Sequence, residues 1–371
     1  MTFKRLVLYV LMISAVLAVI GLYVLPDPPE PVAPISEKWE RSPHNAADSE
    51  SFTRWDEDDP PRVPVACAKC HSSFGYRDYL GVDGTAAGTV DQAAKTGTTV
   101  NCSACHNPAA HVMTEVAFPS GAVIDRLGSS AVCAQCHQGR SSTSDVEEAT
   151  AGLDDDTVSE DLAFINVHYA IAAATWLGSE VQGGYEYADR AYVGRYEHVP
   201  DLQTCTDCHD PHGLSVPADS CRPCHVNVVD RADLAAIRTS DQDFDGDGEV
   251  EGLASEIGGM QERLYQAMQT YAAEVVGTPL LYADQFPYFF TDPDGDGQAE
   301  PDELNFGNRY TTWTPRLLRA AYNYHFSHED DGNYVHNGRY VLQILYDSTE
   351  GLGEAVTVDL AGALRPTSES Y

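Results

Sequence analysis

Residues 6–25, LVLYVLMISAVLAVIGLYVL, run for twenty positions without a charge. A stretch of that length spans a bilayer as one helix, and Lys4 and Arg5 ahead of it would hold the N-terminus in the cytoplasm. A cleaved signal peptide is the competing reading, but the apolar run passes into PDPPEPVAP without a small-x-small site. The expectation is a transmembrane signal anchor over 1–25 and an extended, proline-rich tether over 26–43. Over 44–230 the pattern changes, and regular periodicity is scarce. GRSSTSDVEEATAGLDDDTVSED reads as a polar surface loop, and LAFINVHYAIAAATWLG as a helix carrying His168. From about Arg231 helical spacing takes over. IGGMQERLYQAMQTYAAEVVG predicts an amphipathic helix ending near Gly277. Thr314 and Pro315 open a second, PRLLRAAYNYHFSH, and Asn337 caps a third, GRYVLQILYDSTEGL. Residues 231–371 thus form a helical C-terminal section.

The ten cysteines fall in five pairs: Cys67/Cys70, Cys102/Cys105, Cys133/Cys136, Cys205/Cys208 and Cys221/Cys224. Each pair is followed at once by a histidine: His71, His106, His137, His209 and His225. Cys-x-x-Cys-His is the attachment signal for c-type haem. The two sulfurs reach both vinyl groups of one porphyrin, and the next side chain rises onto the iron as an axial imidazole. Structural zinc takes four ligands, so such units pair, and five cannot all pair. A thioredoxin-like motif expects one unit, and a disulfide scaffold does not require the histidine. About 36 residues per motif between His44 and His225 are too few for a separate apolar core around each. Porphyrins should therefore fill most of the interior of a pentahaem domain over 44–230. The fold class expected is mostly irregular and α. It has short motif-bearing helices, a haem-filled core, the helical C-terminal section and the N-terminal transmembrane helix.

Longer runs extend the pattern: VACAKCHSSFGYRDYLG, INVHYAIAAATWLGSEVQGGYEY, YEHVPDLQTCTDCHDPHG and WTPRLLRAAYNYHFSHEDDGNYVHNGRYVLQILYDS. With the five motifs they resemble the pentahaem c-type cytochromes of exported bacterial electron-transfer chains. The resemblance runs from His44 to about Gly351. It implies five covalently bound haems and electron transfer outside the cytoplasm.

Eight histidines lie outside the motifs, and Met113, Met260 and Met268 are the methionines that compete with them outside the apolar N-terminus. The two imidazoles of a bis-histidine haem approach iron from opposite faces. His212, three residues after His209, cannot reach round the same porphyrin, so it serves a neighbouring haem or none. His111, five residues after His106, meets the same constraint and competes for a place. His168 and His198 sit in stretches that resemble the family's distal-ligand segments. With His44, His212 and His336 they make the preferred distal set, each against the alternative of an unliganded histidine. His325 and His328, one helical turn apart, read mainly as propionate contacts or surface residues. In some filament-forming multihaem cytochromes a distal histidine comes from the next subunit, which the resemblance keeps open here.

Asp and Glu number 57 against 22 Lys and Arg, a net charge of −35. Such a surface repels nucleic acid and anionic lipid. It suits a basic partner, a salty habitat or plain solubility. Part of the acid is patterned. DPDGDGQAEPDE places Asp292, Asp294, Asp296, Gln298 and Glu303 at the positions of a calcium loop. DFDGDGEVEG begins likewise with Asp243, Asp245 and Asp247, but Ala254 stands where the twelfth, bidentate ligand belongs.

These readings combine into a membrane-anchored, exported five-haem carrier with no catalytic residue. It would pass electrons between redox proteins, either other cytochromes or a quinol-linked membrane complex. The body would lie in the periplasm or outside the cell. The large negative charge should favour oxidised iron and hence low potentials. Two alternatives stay open. One is a reductase of nitrite, hydroxylamine or a sulfur oxyanion with one open haem. Pentahaem nitrite reductases mark that haem with Cys-x-x-Cys-Lys, whereas all five motifs here end in histidine. The other is a homo-oligomer, as the protomer of an extracellular conductive filament.

Overall fold

The chain folds around three long helices, α1 (Leu253–Tyr271), α2 (Pro315–His328) and α3 (Asn333–Leu352). This is a computed structural model, and it describes residues 32–238 and 240–367. Thr314 caps α2 by accepting from the Leu317 amide at 3.2 Å, and Pro315 fills the first position, where no donor is needed. α1 runs into a single π-turn, Ala272–Val276, and stops at Gly277 with φ 76, a left-handed end that glycine adopts without a Cβ clash. α3 begins four residues before its expected cap. Asn337 lies inside it at φ −167, with Oδ1 accepting from the Tyr340 amide at 3.3 Å. The cap therefore opens the second segment of a kinked helix, and His336 ends the short first segment.

The apolar faces of these helices meet in one core. Ile257, Met260, Leu264 and Met268 from α1 pack with Leu317 and Ala321 from α2 and Val341 and Leu345 from α3, around Phe289 and Trp313. Burying each large side chain is worth about 1.5–3 kcal/mol, so this section holds itself together by ordinary packing. The opposite sides of α2 and α3 present Tyr322, Phe326, Tyr340 and Ile344 to a second cluster. That cluster reaches into the middle of the chain through Leu127, Val146, Ile171 and Leu177. Around the first motif the apolar cluster shrinks to Val63, Ala68 and Ala94. The helical C-terminal section thus has a side-chain core of its own. Short elements carry the rest, including three two-stranded antiparallel ribbons: Arg62–Val63 with Ala94–Lys95, Glu115–Ala117 with Val123–Asp125, and Leu280–Tyr282 with Phe289–Thr291.

Three expectations need correction. No helix among the described residues is long and apolar enough to cross a membrane. That overturns a fold class containing an N-terminal transmembrane helix, and the run 6–25 on which it rested lies outside the described residues. The long helices that are described are amphipathic and spend their apolar faces on each other. Val32–Glu40 is helical, not extended. Its proline, Pro34, sits in the first turn, where the missing amide costs nothing. The helix expected around His168 is shorter than its alanine content suggests. It covers Ala172–Leu177, and His168 (φ 81) and Ala170 (φ 51) precede it in left-handed backbone.

The loop after that short helix is clamped to α2 and α3. Asn323, fully buried, accepts from the Tyr185 amide at 2.6 Å and donates to the Tyr185 carbonyl and Ser348 Oγ at 2.9 Å each. Tyr322 donates to the Gly183 carbonyl at 2.8 Å. A Cβ on Gly183 would lie 2.8 Å from that of Ala174, and one on Gly184 2.8 Å from Ile344 Cδ1, so the loop approaches too closely for side chains. Replacing Asn323 with Ala leaves both Tyr185 backbone groups buried without partners. It should cost about 2–4 kcal/mol, read from denaturant unfolding.

Candidate haem sites

Each motif is wound into a single turn. The first forms the end of the helix Val65–His71, and the second and fourth form Cys102–Cys105 and Cys205–Cys208. The third starts at the end of the helix Ser130–Ala134, and the fifth follows the 3-10 turn Ala218–Ser220 as plain turns. In the last four motifs the histidine amide donates to the carbonyl of the first cysteine, at 2.8–3.1 Å. Cysteines three apart therefore share one face, with the histidine beside them. Asn101 caps the second motif by accepting from the Ser103 amide, and Thr204 and Asp207 form a capping box on the fourth.

All ten cysteines are free thiols in this structure. Cys102, Cys105 and Cys224 are exposed, whereas the other seven are partly buried. The reason at Cys224 is local. Its neighbours Arg222, Pro223 and Val226 are exposed as well, and none of the three apolar clusters includes a residue of this motif. Protein packing therefore leaves Cys224 open to solvent while its partner Cys221 is half-buried. An exposed thiol is still free to react with a vinyl group, so the spacing argument for attachment is untouched.

Every motif histidine faces a histidine from elsewhere in the chain. His71 faces His168, with ring centroids 5.8 Å apart and the Nε2 atoms 3.5 Å apart. His106 faces His212 at 6.1 Å with nearly parallel rings, 6° apart. His137 faces His44 at 6.3 Å, His209 faces His336 at 6.3 Å and His225 faces His198 at 6.1 Å. Two metal–nitrogen bonds of about 2 Å, plus about 1 Å from each nitrogen to its ring centre, put bridged imidazoles about 6 Å apart. The donor set and its spacing therefore fit haem iron between each pair. Five distal candidates are brought to motif histidines. The sixth, His111, is exposed at the end of the short helix Pro108–His111 and faces no motif ring among the described residues.

The electrostatics suit ligation. Burial first, then the facing His137 ring, pushes His44 down to about 4. Burial first, then His71 and Arg140, does the same to His168. Burial also lowers His71, His137, His209 and His198, which keeps them neutral, as metal binding requires. Second partners orient the rings. His71 and His137 donate from Nδ1 to the carbonyls of Ser51 and Ala170, both at 2.8 Å, leaving Nε2 for iron. His336 differs, because its Nδ1 lies 2.8 and 2.9 Å from the two carboxylate oxygens of buried Asp330. Sequence reasoning passed over Asp330, which stands six residues before its partner in a run of acids. Neighbouring motifs also touch: Cys136 Sγ lies 3.9 Å from the Lys69 carbonyl, and the Cys205 amide donates to Ser130 Oγ, on the helix leading into the third motif, at 2.9 Å. These contacts put the third motif against both the first and the fourth.

His325 is fully buried and belongs to no such pair. Its Nε2 lies 3.1 Å from Asn166 Oδ1 and 3.2 Å from Glu329 Oε1. Asn166 also accepts from the His168 amide at 2.6 Å, which helps hold that residue's left-handed backbone. His328 is exposed.

The acidic loops are formed as loops. Asp292 accepts from the Gly295 and Gly297 amides, and Asp243 from those of Gly246 and Gly248. Carboxylates of Asp292, Asp294 and Glu303 converge within 4.8 Å, as do those of Asp243, Asp245 and Asp247. Asp296 groups instead with Asp294 and Glu300, a residue absent from the expected ligand set. Glu256, buried on α1, accepts from the Phe244 and Asp245 amides and pairs with Arg238 at 3.0 Å. It closes the second loop structurally, where the twelfth ligand is missing.

Comparison with known proteins agrees with the motifs. The chain is 25% identical over 324 residues to the C-type polyheme cytochrome OmcB of Geobacter sulfurreducens, covering 78% of this chain and 38% of that protein. It is 26% identical over 364 residues to OmcC of the same organism, again a C-type polyheme cytochrome, covering 78% of this chain and 43% of the relative. The chain thus spans less than half the length of these curated relatives. No protein-family model matches it, and no solved structure matches it significantly. In its repeated Cys-x-x-Cys-His motifs, the attachment signal for c-type haem, the chain is similar to these multihaem c-type cytochromes.

One titration follows from the His325 network. Burial first, then Asp284 and Asp331, raises Glu329 to about 7 from its ordinary 4.5. The folded chain then keeps a proton that the unfolded chain loses. The stability this contributes is complete below about 4.5 and is lost as pH rises through about 7. Thermal unfolding at about pH 5 and about pH 8 should show a smaller loss of stability for Glu329→Gln than for wild type.

Proposed function

We propose that the chain is an exported carrier of electrons through five bis-histidine haems, passing them between other redox proteins such as cytochromes. The observation that carries this reading is that each of the five motif histidines faces its own second histidine, with none shared. Bound haem supplies reversible one-electron chemistry at iron. The chain supplies ten thiols for attachment and ten imidazoles, His71/His168, His106/His212, His137/His44, His209/His336 and His225/His198. Backbone carbonyls of Ser51, Ala170 and Leu214 orient three of the rings. The contacts of the third motif with the first and the fourth would bring haem edges close, which is what transfer along a chain of centres needs. The exposed thiols Cys102, Cys105 and Cys224 would leave the second and fifth haems nearest the solvent, where a redox partner can reach them. Iron ligated on both faces has no position for substrate, which favours a carrier over a reductase of nitrite, hydroxylamine or a sulfur oxyanion. All five partners come from the same chain, so a histidine from a next subunit is not required.

We infer also that the loop 292–303 binds calcium through Asp292, Asp294 and Glu303, with Asp296 and Gln298 at its rim. The loop 243–252 is the weaker site, because it offers Asp243, Asp245 and Asp247 without a twelfth ligand. In exported surroundings both would be structural.

Spin state tests the ligand assignment. His212→Ala should turn one of five low-spin irons high-spin in the oxidised protein, and His111→Ala should leave all five low-spin. The reverse pattern would overturn the pairing. Calcium should raise the melting temperature of the wild type, and Asp292→Asn should abolish that rise. An equal rise in both would place the ion elsewhere.

A further inference from the structure

Four of the ten paired rings have a defined partner for Nδ1, and they are not equivalent. His71, His137 and His209 meet the carbonyls of Ser51, Ala170 and Leu214. His336 meets a carboxylate. Among the described residues it is the one paired histidine in a salt-bridge contact with an acid. Asp330 is 4% exposed, so water screens its charge little. It is also held rigidly. Oδ1 accepts from the Gly332 amide at 3.0 Å, and the Asp330 carbonyl accepts from the Asn333 amide at the start of α3. Both carboxylate oxygens lie within 2.9 Å of His336 Nδ1.

A carbonyl accepting an imidazole N–H leaves the ligand neutral. A carboxylate draws the proton further, so the ring gains imidazolate character and donates more strongly to iron. A fixed negative charge in a low-dielectric site also stabilises the more positive, oxidised iron. We propose that Asp330 is a positioning residue that lowers the reduction potential of the haem held by His209 and His336. This rests on the bis-histidine reading above. The charge also reaches His137 on the third motif, but through space, without a shared proton, so its effect there should be smaller.

Asp330→Asn keeps the shape and an acceptor oxygen and removes the charge. In a spectroelectrochemical titration of the holoprotein, one of five transitions should move to higher potential. The reduced-to-oxidised ratio of that haem at fixed potential should rise about tenfold, equivalent to about 59 mV for one electron. In a His336→Ala background the same substitution should produce a clearly smaller shift, because only the through-space charge remains to be removed. In the wild type, the low-spin paramagnetic signal lost on His336→Ala should carry the narrower g-spread of an imidazolate-like ligand. Five unmoved transitions in Asp330→Asn overturn the proposal, as does a shift of the same size in His336→Ala. Should Asp330→Asn assemble without five haems, the wild-type signal decides, and a g-spread like those of the other four overturns it. Failure of the reading beneath would look different, because the wild type would then lack five low-spin irons.

Discussion

Five pairs of histidine rings stand with centroids 5.8–6.3 Å apart, each pair beside two cysteines three residues apart. Burial makes protonation of these rings costly, as the lowered values of His44 and His168 show. One metal ion between the rings of a pair would take a lone pair from each, and the cysteine spacing is that of covalent haem attachment. The other features follow from that constraint. Every pair joins segments far apart in sequence, so ligation closes long loops in a region with little apolar packing of its own.

The helical section supplies what the motif region lacks. α3 packs one face into the aliphatic core with α1 and the other against the middle of the chain, and its kink at Asn337 releases His336 toward His209. The loop at Gly183 and Gly184, locked by Asn323 and Tyr340, fastens the middle of the chain to the same helices. At the other end, Trp39 donates to the Val100 carbonyl, and the Val100 amide donates to the His44 carbonyl. The first distal histidine is thereby tied to the segment leading into the second motif. Order around the centres comes from rigid elements outside them.

Much of this was legible in the sequence, where covalent chemistry or local geometry decided it. The cysteine spacing fixed the motif turns. Thr314, Pro315 and Gly277 marked helix ends, and the short reach from His209 to His212 excluded that pair from one iron. What escaped depended on tertiary contact. His168 reads as helical by composition, yet its amide bonds Asn166 in left-handed backbone, because the ring must face His71. Asp330 looked like one acid in a solvated run until α3 folded it inward. Glu256 carried no mark of its role in closing the 243–252 loop. The aliphatic interior of the C-terminal half answers to the amphipathic spacing of its helices, but which faces meet was not written in any one of them. His111 and His212 resemble each other in sequence, each a few residues after a motif, and the fold alone separates them.

The account stands on five porphyrins bound covalently to one chain. Quantitative haemochrome absorbance of the denatured, purified protein, set against polypeptide concentration, counts them directly. Five haems per chain is the result required. A ratio below five, with all ten cysteines intact, would contradict it.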